Sequence, residues 1–140
     1  YEEIKRYCEA HNLSERVQLL SGVSMEELAI IYQLATVFCY PSVFEGFGIP
    51  IIEALFSKTP VITSKGSCFP EAGGAHSIYV NLDRAATEIR EAIVKITTDE
   101  ALRTTMITEG YHYAQRFTDE AVFQELMKVY EQVSGVRARL

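Results

Sequence analysis

The sequence predicts an α/β fold built on a doubly wound parallel sheet. Three observations carry this. Short apolar runs alternate with amphipathic helical segments through the first two-thirds of the chain, the pattern of parallel strands joined by helices. One such run, Val37-Phe38-Cys39-Tyr40, leads into a glycine-containing loop and then a proline that opens a helix. Proline is favoured at a helix start, where its missing N–H costs nothing. Three amphipathic helical segments then close the chain.

The elements follow in order. Residues 2–11 form a helix with Ile4, Tyr7 and His11 on one face, and 17–20 a short strand. Ser24 and Glu27 are spaced as a capping box, opening a helix through Leu28, Ile31 and Ala35. Residues 37–40 are a buried strand, closed by Pro41-Ser42. A helix covers 50–57, and strands cover 60–63 and 77–80. The closing helices span 84–97, with Ile89, Ile93 and Ile96 inward, and 99–117, with Leu102, Met106, Tyr113 and Phe117 inward. Thr118 caps the third, which runs to Val133 with Val122, Leu126, Val129 and Val133 inward. Residues 1–133 are read as one domain, and 134–140 as a flexible, fraying tail. No repeat or low-complexity segment is present.

Composition narrows the function classes. A chain of 140 residues, 48% hydrophobic, suits one domain with its own core. A net charge of −6 argues against nucleic-acid binding and supplies no basic membrane patch. Cys8, Cys39 and Cys68 are odd in number and widely spaced, which reads as free thiols of a reducing compartment, the cytoplasm, rather than a disulfide or zinc framework. No signal peptide is expected. The apolar stretch 28–44 is interrupted by Gln33 and Thr36 and broken by Pro41, so a membrane span is rejected. The first residue is Tyr rather than Met, and the chain is read as a fragment of a longer protein.

The most informative segment is Glu45-Gly46-Phe47-Gly48-Ile49-Pro50-Ile51-Ile52-Glu53, two glutamates eight positions apart around a glycine loop. The helix N-terminus after the loop offers free N–H groups and a partial positive charge, which suits a phosphate. Glycines let a ligand approach the backbone. Glu53 is placed in the first helical turn, leaning back toward the loop that carries Glu45. A ligand with both phosphate and hydroxyl groups fits, and a nucleotide sugar has both.

The run VFCYPSVFEGFGIPIIEALFSKTPVITS, residues 37–64, resembles the donor-binding half of retaining GT-B glycosyltransferases, which carry two glutamates separated by seven residues (E-x7-E). Pro41-Ser42, Glu45-Gly46-Phe47-Gly48, Pro50, Glu53-Ala54 and Pro60-Val61 fall in the family's register, and weaker likeness extends over 1–133. The resemblance implies a Rossmann-like, N-terminally truncated C-terminal half of a GT-B fold. The basic residues that grip the diphosphate, the acceptor-binding half and its sugar-side histidine are expected upstream of Tyr1. It leaves room for peripheral membrane association through that half. The 140-residue fragment by itself is expected to be inactive.

Residue roles implied by the resemblance stand beside plainer readings. Glu45 is the candidate catalytic carboxylate, an anion beside the transferring sugar's hydroxyls and developing positive charge; otherwise it solvates a surface loop. Glu53 binds the ribose; otherwise it stabilises the helix dipole by about 0.3–1 kcal/mol. Gly46, Phe47 and Gly48 offer backbone donors to sugar and diphosphate, with Phe47 also able to pack as core. Ser42 and Ile49 line the cleft. Gly22-Val23 matches a turn beside the nucleobase, though glycine after a strand is ordinary turn chemistry. His11, His76 and His112 make no site by spacing, no metal-ligating constellation appears, and neither metal nor other cofactor is expected. Glu71 is read as structural, a helix-start acceptor. Lys58 replaces a glycine common in the family, at a position that often adopts the left-handed conformation. Ala75 and Asn81-Leu82 also depart from the family.

The expected function is retaining, metal-independent transfer of a glycosyl group from a nucleoside-diphosphate sugar, in polysaccharide biosynthesis, with this chain as the donor domain. The alternative is a non-catalytic nucleotide-sugar-binding or regulatory module. A nucleotide-sugar epimerase is disfavoured by Glu45-Gly46-Phe47-Gly48 in this register.

Overall fold

The computed structural model describes residues 1–135. In chain order its elements are α1 (Glu2–Ala10), α2 (Met25–Leu34), β1 (Phe38–Tyr40), α3 (Ile49–Phe56), β2 (Val61–Ser64), α4 (Phe69–Gly73), β3 (Ile78–Val80), α5 (Ala85–Thr98), α6 (Glu100–Ala114) and α7 (Asp119–Ser134). Single 3-10 turns lie at Leu82–Arg84 and Gln115–Phe117. The strands form one parallel sheet in the order β1-β2-β3. Phe38, Cys39 and Tyr40 pair with Val61, Ile62 and Thr63, while Ile62, Thr63 and Ser64 pair with Ile78, Tyr79 and Val80.

Alternate strand residues face opposite sides of a sheet, and the core divides accordingly. On one face Val61, with Phe38, Tyr40 and Tyr79, meets Tyr32 of α2, Ile51 and Leu55 of α3, and Phe69 and Ala72 of α4. On the other, Ile62 and Val80 meet Ala92 and Ile96 of α5 and Met106 of α6. Helices cover both faces, so the doubly wound α/β class is observed. The caps also hold. Glu27 N–H donates to Ser24 Oγ at 3.2 Å while Ser24 N–H donates to Glu27 Oε2 at 2.8 Å, a capping box of the kind that contributes about 1 kcal/mol. Thr118 Oγ1 accepts from Ala121 N–H at 3.3 Å and starts α7.

Four expectations are corrected. Residues 17–20 form no strand. No described strand lies beside them, and an extended segment without a ladder leaves its backbone groups to solvent. Residues 69–73 form α4, a helix absent from the expected order of elements. Ile93 on α5, and Val122, Leu126, Val129 and Val133 on α7, are exposed rather than inward. Periodicity locates an apolar stripe but not whether anything covers it, and the main neighbour of α7 is the turn just before it. The accessible surface is accordingly 10010 Å², against roughly 7,300 Å² for a compact monomer of this mass. Finally, Ser134, expected to begin a frayed tail, is the last residue of α7, capped by Gly135 at φ 66°; the rest of that tail, residues 136–140, lies outside the described residues.

Lys58 adopts the left-handed conformation, φ 60°. It closes α3 in a Schellman motif: Thr59 N–H donates to Ala54 O and Lys58 N–H to Leu55 O, both at 3.0 Å. Its ammonium sits 5.0 Å from the Tyr111 ring centroid. Lys58→Ala is expected to lose the cation–π contact, about 0.5–1 kcal/mol. Lys58→Gly should exceed Lys58→Ala by about 1 kcal/mol, because glycine removes the Cβ penalty. Chemical denaturation of the pair checks this, and equal stabilities would contradict it.

Glu88 locks the turn into α5. Its carboxylate accepts from Asn81 Nδ2 at 3.0 Å, Asn81 N–H at 2.7 Å and Arg84 at 2.6 Å. These donors, the Asn81 side chain foremost, hold its carboxyl down at about 2. The folded value lies below the unfolded one. The bonds therefore stabilise the fold above the ordinary glutamate range, and this contribution is lost as pH falls through that range toward about 2. Glu88→Gln should flatten the acid limb of the melting temperature; identical acid limbs would contradict the assignment.

Candidate functional site

The glycine loop joins the carboxyl end of β1 to the N-terminus of α3, the end of a parallel sheet where ligands collect. Strand β2 pins it. Thr63 Oγ1 donates to Tyr40 O at 2.9 Å and Ser64 Oγ donates to Ser42 O at 2.7 Å, and both hydroxyl residues are fully buried. Cys68 Sγ, just before α4, donates to Glu45 O at 3.4 Å. These bonds tie the loop backbone to β2 and to the start of α4.

Glu45 is half-buried at the mouth of the loop. Its Oε1 accepts from Tyr40 Oη at 2.6 Å and from Ser42 Oγ at 2.8 Å. The Tyr40 hydroxyl first, then Ser42, holds the carboxyl below its ordinary range, because donors to the charged form favour it. Glu45 is an anion at neutral pH. Ser42, expected to line the cleft, spends its hydroxyl within the loop, on Glu45 and on Phe44 O at 3.3 Å.

Gly48 is the N-cap of α3 at φ 88°, and a Cβ there would lie 3.2 Å from Ala72 Cβ and 3.3 Å from Ile51 Cδ1. Only glycine meets both constraints without strain. Gly46 faces open space. Among the described residues, the N–H groups of Gly46, Phe47, Gly48 and Ile49 meet no protein acceptor. Four orphan donors at a helix start make the physical basis of an anion site. Ile49 is 60% exposed beside them, and Val43 and Phe44 are also exposed. The Phe47 ring turns aside onto Phe117, edge-on with centroids 5.7 Å apart. It borders an open cavity of about 690 Å³ lined by Tyr113, Arg116 and Val122 among others.

Glu53 departs from expectation. Helix α3 begins at Ile49, one residue early, so Pro50 is the second helical residue and Glu53 the fifth, in the second turn. Its Oε2 accepts from Tyr32 Oη at 3.2 Å. The carboxylate lines a cavity of about 210 Å³ between α2 and α3, with Met25, Leu28, Ala29, Phe56 and Ser57. Burial, then the Glu53 charge, pushes the Tyr32 phenol up to about 12. Thr59 Oγ1 donates to Tyr32 O at 2.6 Å and fixes the end of α2 above this cavity. No described bond or cavity joins Glu53 to the Glu45 loop.

Val23 lies just before α2, two residues from Met25 of the Glu53 cavity. With Gly22, at φ 68°, it borders an open cavity of about 530 Å³ on the Glu27, Ile30 and Ile31 stripe of α2. Residues 25, 28, 29 and 32, which face Glu53, occupy the opposite stripe at helical spacing. The histidines stay apart: His11 packs on Tyr7, His112 borders the Phe47 cavity, and His76 is exposed. Among the described residues no group of three or more His, Cys, Asp or Glu is arranged to hold a metal ion. Nor is any described helix long and apolar enough to cross a membrane. Glu71 contributes its carbonyl, which accepts from Tyr113 Oη at 2.6 Å, rather than a helix-start side-chain bond.

The sequence reading missed Tyr32, Tyr40, Thr63 and Ser64. A signal existed for the last two, since polar residues at the carboxyl end of an otherwise apolar parallel strand face the ligand end of the sheet.

Residues 1–113 match the family model described as glycosyl transferases group 1. The O-antigen chain mannosyltransferase RfbU of Salmonella typhimurium is 48% identical over 71 residues, covering 51% of this chain and 20% of that protein. The D-inositol 3-phosphate glycosyltransferase of Corynebacterium jeikeium is 28% identical over 134 residues, covering 94% of this chain and 32% of the relative. Among solved structures, sucrose-phosphate synthase from Thermosynechococcus elongatus superposes with a TM-score of 0.78 at 29% identity. That superposition covers 96% of this chain and 34% of the synthase. The chain thus spans between a fifth and about a third of these relatives' lengths.

Proposed function

Because the chain belongs to the group 1 glycosyl transferases, we propose that its glycine loop and α3 bind the nucleoside-diphosphate sugar of a retaining, metal-independent glycosyl transfer. The observation that carries the reading is the row of unpartnered N–H groups at residues 46–49 beside an ionised Glu45. The diphosphate lies on those donors, where the helix dipole favours negative charge. Glu45 stands beside the sugar and stabilises the positive charge that develops as the glycosidic bond breaks. Glu53 meets the ribose hydroxyls at its cavity, exchanging the Tyr32 bond for charge-assisted bonds to the ligand. Val23 borders the nucleobase. The mannosyl transfer in a relative's name makes a mannosyl nucleotide the first donor to test.

Isothermal titration of this chain with UDP, GDP and ADP, and with inorganic phosphate, tests the binding. One nucleoside diphosphate is expected to bind well above phosphate, and Glu53→Gln to weaken it. Binding of none of the three would overturn the reading. In the whole enzyme, working in the cytoplasm, chelation with EDTA should leave transfer nearly unchanged; loss restored by Mn²⁺ or Mg²⁺ would refute metal independence.

A further inference from the structure

We infer that Tyr40 is a positioning residue for Glu45: its hydroxyl, together with that of Ser42, occupies one carboxylate oxygen and leaves the other for the substrate. What the free oxygen meets rests on the donor-binding reading; the positioning itself does not. Tyr40 Oη and Ser42 Oγ converge on Glu45 Oε1 at 2.6 and 2.8 Å, and among the described residues no donor meets Oε2. Two donors on a single oxygen fix the rotation of the carboxylate and aim the second oxygen outward. The donors are themselves fixed. Their carbonyls are held from β2 by Thr63 and Ser64, and the Tyr40 ring lies near-parallel to Phe38, centroids 5.7 Å apart at 16°. Phe38 in turn packs against the core cluster around Val61.

The other titratable groups around this pair are few. Cys68, ahead of α4, reaches the Glu45 carbonyl. Tyr32 of α2 meets Phe38 edge-on at 5.1 Å and is bonded to Glu53. None of the described ion pairs involves Glu45, so hydroxyls rather than a cation hold the anion. The effect runs both ways: Glu45 pushes the Tyr40 phenol up, chiefly through their hydrogen bond. A plain packing role for Tyr40 would need only its ring. The hydroxyl is what the inference assigns a task, and Tyr40→Phe removes nothing else.

The test is a carbon-13 NMR titration of the Glu45 side-chain carboxyl in this chain, as wild type, Tyr40→Phe and Ser42→Ala. In the wild type it should titrate below ordinary glutamates. Tyr40→Phe should move the midpoint up toward them, and Ser42→Ala should do so less. A Glu45 midpoint unmoved in Tyr40→Phe would overturn the inference. Should Tyr40→Phe fail to fold, Glu45→Gln is read at the Tyr40 phenol, whose titration should fall toward the ordinary tyrosine range; no change there overturns it equally. Because the readout is not activity, a shifted midpoint in a chain that binds no nucleoside diphosphate would uphold the positioning and sink only the donor reading.

Discussion

Glu45→Gln should lower kcat of the whole enzyme by about 100-fold or more and leave the donor KM nearly unchanged. On the proposed reading the substitution keeps size and removes charge where positive charge develops, so the loss belongs to the transition state. The carboxylate is fixed by Tyr40 and Ser42, and such a preorganised charge needs no reorientation when the bond breaks. Glu53→Gln should behave differently. Its proposed bonds to the ribose exist equally in ground and transition states, so the donor KM should rise with a loss on the order of 1.5–3 kcal/mol. Its effect on helix stability should be small, because Glu53 sits in the second turn of α3 and the dipole acts within the first. Steady-state kinetics on both variants, with melts as a folding control, decides. Near-normal kcat in Glu45→Gln, or the same KM defect in both, would show that the division of roles is wrong.

Gly48→Ala should cost the fold roughly 2–5 kcal/mol. A left-handed φ of 88° costs a residue with a Cβ about 1–2 kcal/mol. The added methyl would stand 3.2 Å from Ala72 Cβ, and overpacking a close-packed site costs about 1–3 kcal/mol. Ala72 is buried on α4, so it has little room to retreat. Gly46→Ala is the contrasting variant. Its Cβ would meet nothing within 4 Å, so stability should change by no more than about 0.5 kcal/mol. A methyl there would instead crowd a diphosphate approaching the loop, and nucleoside-diphosphate binding should fall. Denaturation and binding measured on the pair separate fold from site. Equal destabilisation of the two variants would contradict the steric account.

Much of this was legible in the sequence because local signals and tertiary fold agree. The capping box at Ser24, the apolar run at 37–40 and Pro50 each have a local physical cause, and each marks an observed element to within a residue or two. The strand expected at 17–20 failed because a strand is a property of two segments, and residues 17–20 supply only one. The apolar stripe of α7 was read correctly as apolar and wrongly as covered. The loop was legible through Glu45, Gly48 and Pro50. The place of Glu53 in the second turn was not, because the spacing does not fix whether the helix starts at Ile49 or at Pro50. Tyr40 and Tyr32 escaped notice for a related reason. Their rings suit a strand and a buried helix face, and nothing in the spacing shows that each hydroxyl ends on a glutamate.

The central claim is that the backbone donors at residues 46–49 hold a diphosphate. An amide NMR titration of this chain with the nucleoside diphosphate that binds tests it most directly. The account predicts that Gly46, Phe47, Gly48 and Ile49 show the largest shifts, moving together with one saturation curve, and that Glu53→Gln weakens that curve without abolishing it. Shifts confined to other parts of the chain, with those four amides unmoved at saturation, would contradict it.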